Sequence, residues 1–168
     1  KDDSLDVRRA AIQALAVLKA PAAVPALLKA GLDNPQQRNS SLEAIVKIGG
    51  PAVPPLVKLL AAADPGLRLD TCVVLGRIGD RAAAKPLVNT LRDPIAIVRA
   101  HAAEALGKIG LNDTCANVAV LLDDDDAGVR LNAAAALAQI GDERVRPQIM
   151  ALLNHPEPEI RSYAATAA

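Results

Sequence analysis

The stretch "VRAHAAEALGKIG", residues 98–110, carries the reading of the whole chain, because near-copies of it recur in register. "VRLNAAAALAQIG" (129–141), "LRLDTCVVLGRIG" (67–79), "QRNSSLEAIVKIG" (37–49) and "VRRAAIQALAVLK" (7–19) align with it position by position. The aligned arginines stand at 8, 38, 68, 99, 130 and 161, at separations of 30, 30, 31, 31 and 31 residues. The last copy, "IRSYAATAA", stops before its Ile-Gly, so the chain holds five full units and part of a sixth. Self-similarity at such a period signals a solenoid, in which each unit buries its apolar face only against its neighbours.

Each unit reads as two helices. The first carries the arginine and an apolar stripe, which in the fourth unit is Val98, Ala102, Ala105, Leu106 and Ile109, close to the spacing of one helical face. Gly49, Gly79, Gly110 and Gly141 follow the stripe, where a left-handed cap is wanted. Asp80 and Asp142 come next and suit an N-cap for the second helix. Prolines fall near the first turns of the second helices, where their missing N–H costs nothing. Pro55 and Pro86 sit deeper and raise the expectation of a local kink. The links "DNP", "ADP", "RDP", "DDDDAG" and "HPEPE" have turn chemistry.

Composition agrees with closely packed helices. Of 168 residues 51% are apolar, yet Tyr163 is the one aromatic, so a sheet sandwich with aromatic strand residues is disfavoured. Lys plus Arg and Asp plus Glu each number 19, and this balance argues against a nucleic-acid footprint. Cys72 and Cys115 form neither a disulfide framework nor a metal-binding pair. No apolar run is long enough to cross a membrane and no signal-peptide pattern is present, so the default compartment is cytoplasmic.

The recurring Asp-Pro-x-x-x-Val-Arg, followed by Ala-Ala-x-Ala-Leu-Gly-x-Ile-Gly-Asp, resembles the short HEAT-like repeats of phycobilisome lyase subunits. The resemblance implies an all-α fold, an armadillo-like α-solenoid built as a right-handed superhelix of stacked antiparallel helix pairs. It implies one domain over 1–168, with repeats at 3–32, 33–63, 64–92, 93–123, 124–154 and a partial repeat at 155–168, and we expect this to be a piece of a longer array. It also implies that the arginine-bearing helices line a concave groove, and that the arginines bond acidic or carbonyl groups in the inter-repeat turns. Carried over, this makes Arg8, Arg38, Arg68, Arg99, Arg130 and Arg161 a structural ladder, with Asp64, Asp93 and Asp126 as candidate partners. Lys19 in place of the cap glycine, Gly50-Pro51, and "GLNDT" in the fourth unit depart from the pattern at turns.

The arrangement also weighs the candidate chemistry. His101 and Glu104 lie three apart on one helix, as two metal ligands would. The same slots read Ala10, Ser40, Asp70, Asn132, Tyr163 and Gln13, Glu43, Val73, Ala135, Thr166 in other units, which describes a variable surface. A mononuclear metal site needs three or four ligands, and His155 lies more than one unit away. "DDDD" (123–126) lacks the later ligands of an EF-hand, and no nucleophile–base motif appears. Cys72 is expected in the core and Cys115 partly exposed.

Nine positions after the arginines stand Lys47, Arg77 and Lys108, and beside this cationic row lie Leu69, Val73, Ile97 and Leu131. With Asp70, His101 and Glu104 they make an expected partner-binding patch of apolar centre and charged edge. The reading is a non-enzymatic scaffold that binds a protein or peptide in its groove, with no cofactor, metal, nucleic acid or membrane. Two alternatives stand beside it: a subunit of a bilin lyase or similar protein-modifying enzyme, and, more weakly, a nucleic-acid binder.

Overall fold

The computed structural model describes residues 5–143 and 146–167, and among these residues every regular element is helical. The arginine-bearing helices are α1 (Leu5–Val17), α3 (Pro35–Ile48), α5 (Pro65–Ile78), α7 (Ala96–Ile109), α9 (Ala127–Ile140) and α11 (Pro158–Ala167). Between them run the shorter α2 (Val24–Asp33), α4 (Val53–Leu59), α6 (Ala84–Thr90), α8 (Cys115–Ala119) and α10 (Arg146–Ala151). Single 3-10 turns lead into four of the short helices, at Pro21–Ala23, Gly50–Ala52, Arg81–Ala83 and Asn112–Thr114. The result is an all-α repeat solenoid.

The chain divides into two compact units, residues 1–78 and 79–168. In the first, α1 and α2 pack on α3, and α3, α2 and α4 pack on α5. Its core holds Leu28, Ile45, Ile48, Leu56, Val74 and Leu75, all fully buried. In the second, α6 packs on α7, α7 on α9, and α9 on α11, around Leu87, Val98, Leu106, Val118, Leu137 and Ile160. Burying one such leucine contributes about 1.5–3 kcal/mol. The most extensive pairing is α7 with α9, where Ala102, Ala103, Ala105 and Gly107 meet a helix bearing Ala133, Ala134 and Ala136. Small side chains allow close approach, which is how a chain almost without aromatics still packs tightly.

The turns follow their residues. Gly49, Gly79, Gly110 and Gly141 all have φ near +70°, and Lys19, in the corresponding place of the first unit, itself takes φ 47°. The departure from glycine there leaves the turn intact and puts an L-residue in the left-handed region. Asp80 accepts from the Ala82 N–H at 2.9 Å, as an N-cap should. Asp142 is buried, and residues 144–145, where its capping role was expected to lead, lie outside the described residues. Pro55 and Pro86 are each the third residue of their helix, in the first turn, so no kink of a helix interior arises from them. Cys115, expected to be partly exposed, is buried like Cys72, because α8 turns it into the core.

Candidate functional site

The arginines point into the joints. Arg99 Nη1 donates to the Asp93 carbonyl at 2.9 Å, while its Nε and Nη2 donate to the two carboxylate oxygens of Asp124 at 2.8 and 2.7 Å. Arg130 donates to the carbonyls of Asp124 and Asp125 and to the Glu157 carboxylate. Arg68 takes the carbonyls of Ala62 and Ala63, and Arg161 those of His155 and Pro156. A guanidinium is suited to this because its planar fork can satisfy a carboxylate and a carbonyl together. Arg8 lies on the exposed side of α1.

Two of the expected carboxylates, those of Asp64 and Asp126, cap helix starts: Asp64 accepts from the Gly66 N–H at 2.7 Å and Asp126 from the Val129 N–H at 3.1 Å. Asp93 contributes its main-chain carbonyl to Arg99, and its side chain accepts from the Ile95 N–H. Asp124 and Glu157, each in the turn after the next short helix, receive Arg99 and Arg130, and Asp70 receives Arg38. In "DDDD" the second and fourth members thus act as arginine partner and N-cap. The Arg99 bond holds the Asp124 carboxyl below its ordinary range against the opposing effect of burial, and the Asp124 bond in turn raises Arg99.

Asp70 requires a correction. It was expected on the partner-binding patch, but it is fully buried, with Arg38 Nε 3.1 Å from each carboxylate oxygen. A carboxylate in the core needs a charged partner, and Arg38, one repeat earlier, supplies it. The same bond raises the Arg38 pKa. Close by in sequence on α3, Gln37 Nε2 and Ser41 Oγ are buried without a hydrogen-bond partner among the described residues.

The other patch residues divide between the units. In the first, Leu69 and Val73 are half-buried on α5, Arg77 is exposed, and Lys47 is exposed near the end of α3. In the second, Ile97 is 52% exposed at the start of α7, and Leu131 is half-buried on α9. His101 Nδ1 lies 2.9 Å from Glu104 Oε2, and Lys108 Nζ donates to Glu104 Oε1 at 2.6 Å. Burial pushes the Glu104 carboxyl up, but the hydrogen bonds from Lys108 and His101 outweigh it and hold the group below its usual range. An ionised, doubly bonded Glu104 is a poor general acid. Among the described residues no three His, Cys, Asp or Glu side chains gather as metal ligands.

The cationic row is also more neutral than its composition implies. Arg77 Nη2 donates to Glu43 Oε1 at 2.6 Å, across from α5 to α3, and Lys108 is taken by Glu104. Lys47 alone of the three has no ion-pair partner among the described residues. Sequence reasoning missed the pairing of Glu43 with Arg77 because the two stand 34 residues apart, one repeat plus one helical turn.

The profile of HEAT repeats matches residues 1–70, 53–127 and 116–168. The complex of CpcE and CpcF of phycocyanin lyase from Nostoc is similar in fold, with a TM-score of 0.78 and 22% identity over 87% of this chain and 98% of that one. A designed armadillo repeat protein in complex with the peptide (KR)4 gives a TM-score of 0.64 at 20% identity over 97% and 91% of the two chains. Human deoxyhypusine hydroxylase gives 0.53 at 18% identity over 99% and 80%. No curated protein sequence matches the chain. Among the described residues no helix is long and apolar enough to cross a membrane. With every unit covered by the profile and the repeat joints built alike, the chain belongs to the HEAT repeat family.

Proposed function

We propose that the chain is a non-enzymatic scaffold that binds a protein or peptide in the groove lined by the solvent-exposed slots of its arginine-bearing helices. The observation behind this is a division of labour. The arginines from Arg38 to Arg161 bond to turns or to a buried acid, while the slots two, five and nine positions after them, Asp70 excepted, keep some solvent exposure wherever the residue is described. Those slots hold Ser40, Glu43 and Lys47, then Val73 and Arg77, then His101, Glu104 and Lys108, a chemistry that changes from repeat to repeat. Apolar side chains set beside ion pairs suit a polypeptide surface better than a small substrate.

The test is capture of a partner with the chain as bait, followed by binding of the captured polypeptide to variants. Val73→Glu is expected to weaken binding more than tenfold, about 1.4 kcal/mol, while Lys58→Glu and Lys85→Glu, on the short helices, leave it within twofold. The reverse pattern refutes the face assignment. The phycocyanin lyase likeness suggests a second reading, a subunit of a modifying enzyme. Visible absorbance retained after mixing with a bilin or a bilin-bearing protein favours that reading.

A further inference from the structure

Within the first unit, α1 and α3 leave between them an open cavity of about 510 Å³. Its floor is Ala16 and Ala44, both buried, and one rim is Val17, which is 82% exposed. The polar lining is Gln13, Ser40, Glu43 and Lys47.

The matching joint between α7 and α9 suggests why a cleft opens here. There the slot eight positions after the arginine is Gly107, and a Cβ at that point would lie 2.8 Å from Ala136 Cα. The equivalents of Gly107 and Ala136 in the first joint are Ala16 and Ala44. With Ala16 in that slot, a backbone contact as close as that at Gly107 is not open to α1 and α3.

The charges select an occupant. Glu43 is taken by Arg77, whereas Lys47 has no partner, and Gln13 and Ser40 have no side-chain hydrogen bond among the described residues. The cleft therefore offers an apolar floor, one uncompensated ammonium and two polar groups able to donate. That combination matches a carboxylate on a short aliphatic stem, and the volume admits flanking residues as well. We propose that this cleft is an anchor subsite for a glutamate side chain of an extended acidic peptide, a proposal that rests on the peptide-binding reading above.

The test is a chemical-shift titration of the isotope-labelled full chain with three N-acetylated, amidated tripeptides, Ala-Glu-Ala, Ala-Gln-Ala and Ala-Lys-Ala. The glutamate peptide is expected to give saturable shifts at the Ala16, Ser40, Ala44 and Lys47 amides. Its Kd is expected to rise about tenfold with Lys47→Gln, and the glutamine peptide is expected to bind about as weakly to the unaltered chain. Ala16→Gly, which lets the joint close, is expected to abolish the shifts while leaving the helical circular dichroism unchanged. Equal binding of all three peptides, preference for lysine, or indifference to Lys47→Gln overturns the subsite. An alternating Glu-Leu octapeptide separates the two levels. If it shifts Leu69 and Val73 but not Ala16 or Ala44, the subsite falls and peptide binding on this face stands. If it and the tripeptides shift neither region, both fall.

Discussion

Adding one methyl group to Gly107 should destabilise the protein although it improves the helix. Gly107 is buried within α7, and alanine there gains about 1 kcal/mol of helix propensity. Against this, the new Cβ would lie 2.8 Å from Ala136 Cα and 3.0 Å from Ala136 Cβ. Carbon contacts are comfortable near 3.5–4.0 Å, so the overlap is roughly 0.7 Å or more against the backbone of α9. The third neighbour, Gln139 Oε1 at 2.8 Å, can swing away, but the backbone cannot. Overpacking of this kind costs about 1–3 kcal/mol, and the upper half applies where a helix must move. The net expectation is a loss of about 1–2 kcal/mol, read as a shift in the urea midpoint followed by helical circular dichroism. Gly128→Ala is the comparison, because its Cβ meets only Asp126 Oδ1, at 3.1 Å, in the first turn of α9. It is expected to stay within about 0.5 kcal/mol of the parent. Adding Ala136→Gly to Gly107→Ala removes the Cβ contact but not the Cα one, so it restores only part of the loss. If Gly107→Ala raises the midpoint by its propensity gain, the close helix contact is refuted.

Four further outcomes are expected. Arg99→Ala removes a bidentate pair and a carbonyl bond between side chains only 18% and 9% exposed, and should cost about 2–4 kcal/mol, against under about 0.5 for Lys108→Ala; equal small losses in urea unfolding would refute the joint. The Asp124 carboxyl titrates below its unfolded value near 3.9, so its contribution is present above that pH and is lost as pH falls through the folded value; Asp124→Asn should flatten the melting-temperature curve below about pH 5, and an unchanged curve counts against the pairing. Ser41→Ala replaces a buried hydroxyl without a partner and should stabilise by about 1 kcal/mol, whereas Lys19→Gly, at φ 47°, should stabilise by about 0.5–1 kcal/mol; thermal melts decide both, and a drop in either refutes its premise.

The repeat, its two helices and its glycine caps were readable from the sequence because each depends on local spacing. The arginine's place in the turns came through the family resemblance, but the pairings with Asp124, Glu157 and Asp70 did not. Asp64 and Asp126 look like partners by proximity in sequence, yet an aspartate just before a helix has two free N–H groups nearer to hand. Asp70 looked like a surface acid because its slot holds Ser40 and His101 in other units. Its burial depends on Arg38 crossing from the preceding repeat, a distance that no single repeat displays. The cleft between α1 and α3 was equally hidden, since it turns on the spacing of two helices and not on any residue's character.

The separation between joint-forming arginines and outward slots makes the protein a template in which grammar and vocabulary are held by different letters. Ser40, Glu43, Lys47, Val73, Arg77, His101 and Asn132 can be randomised together without touching a ladder arginine or an acid that receives one. Such a library would vary recognition while leaving the ladder arginines and the acids they bond intact. Its members should therefore melt over a narrow range of temperature while differing widely in what they retain on a column.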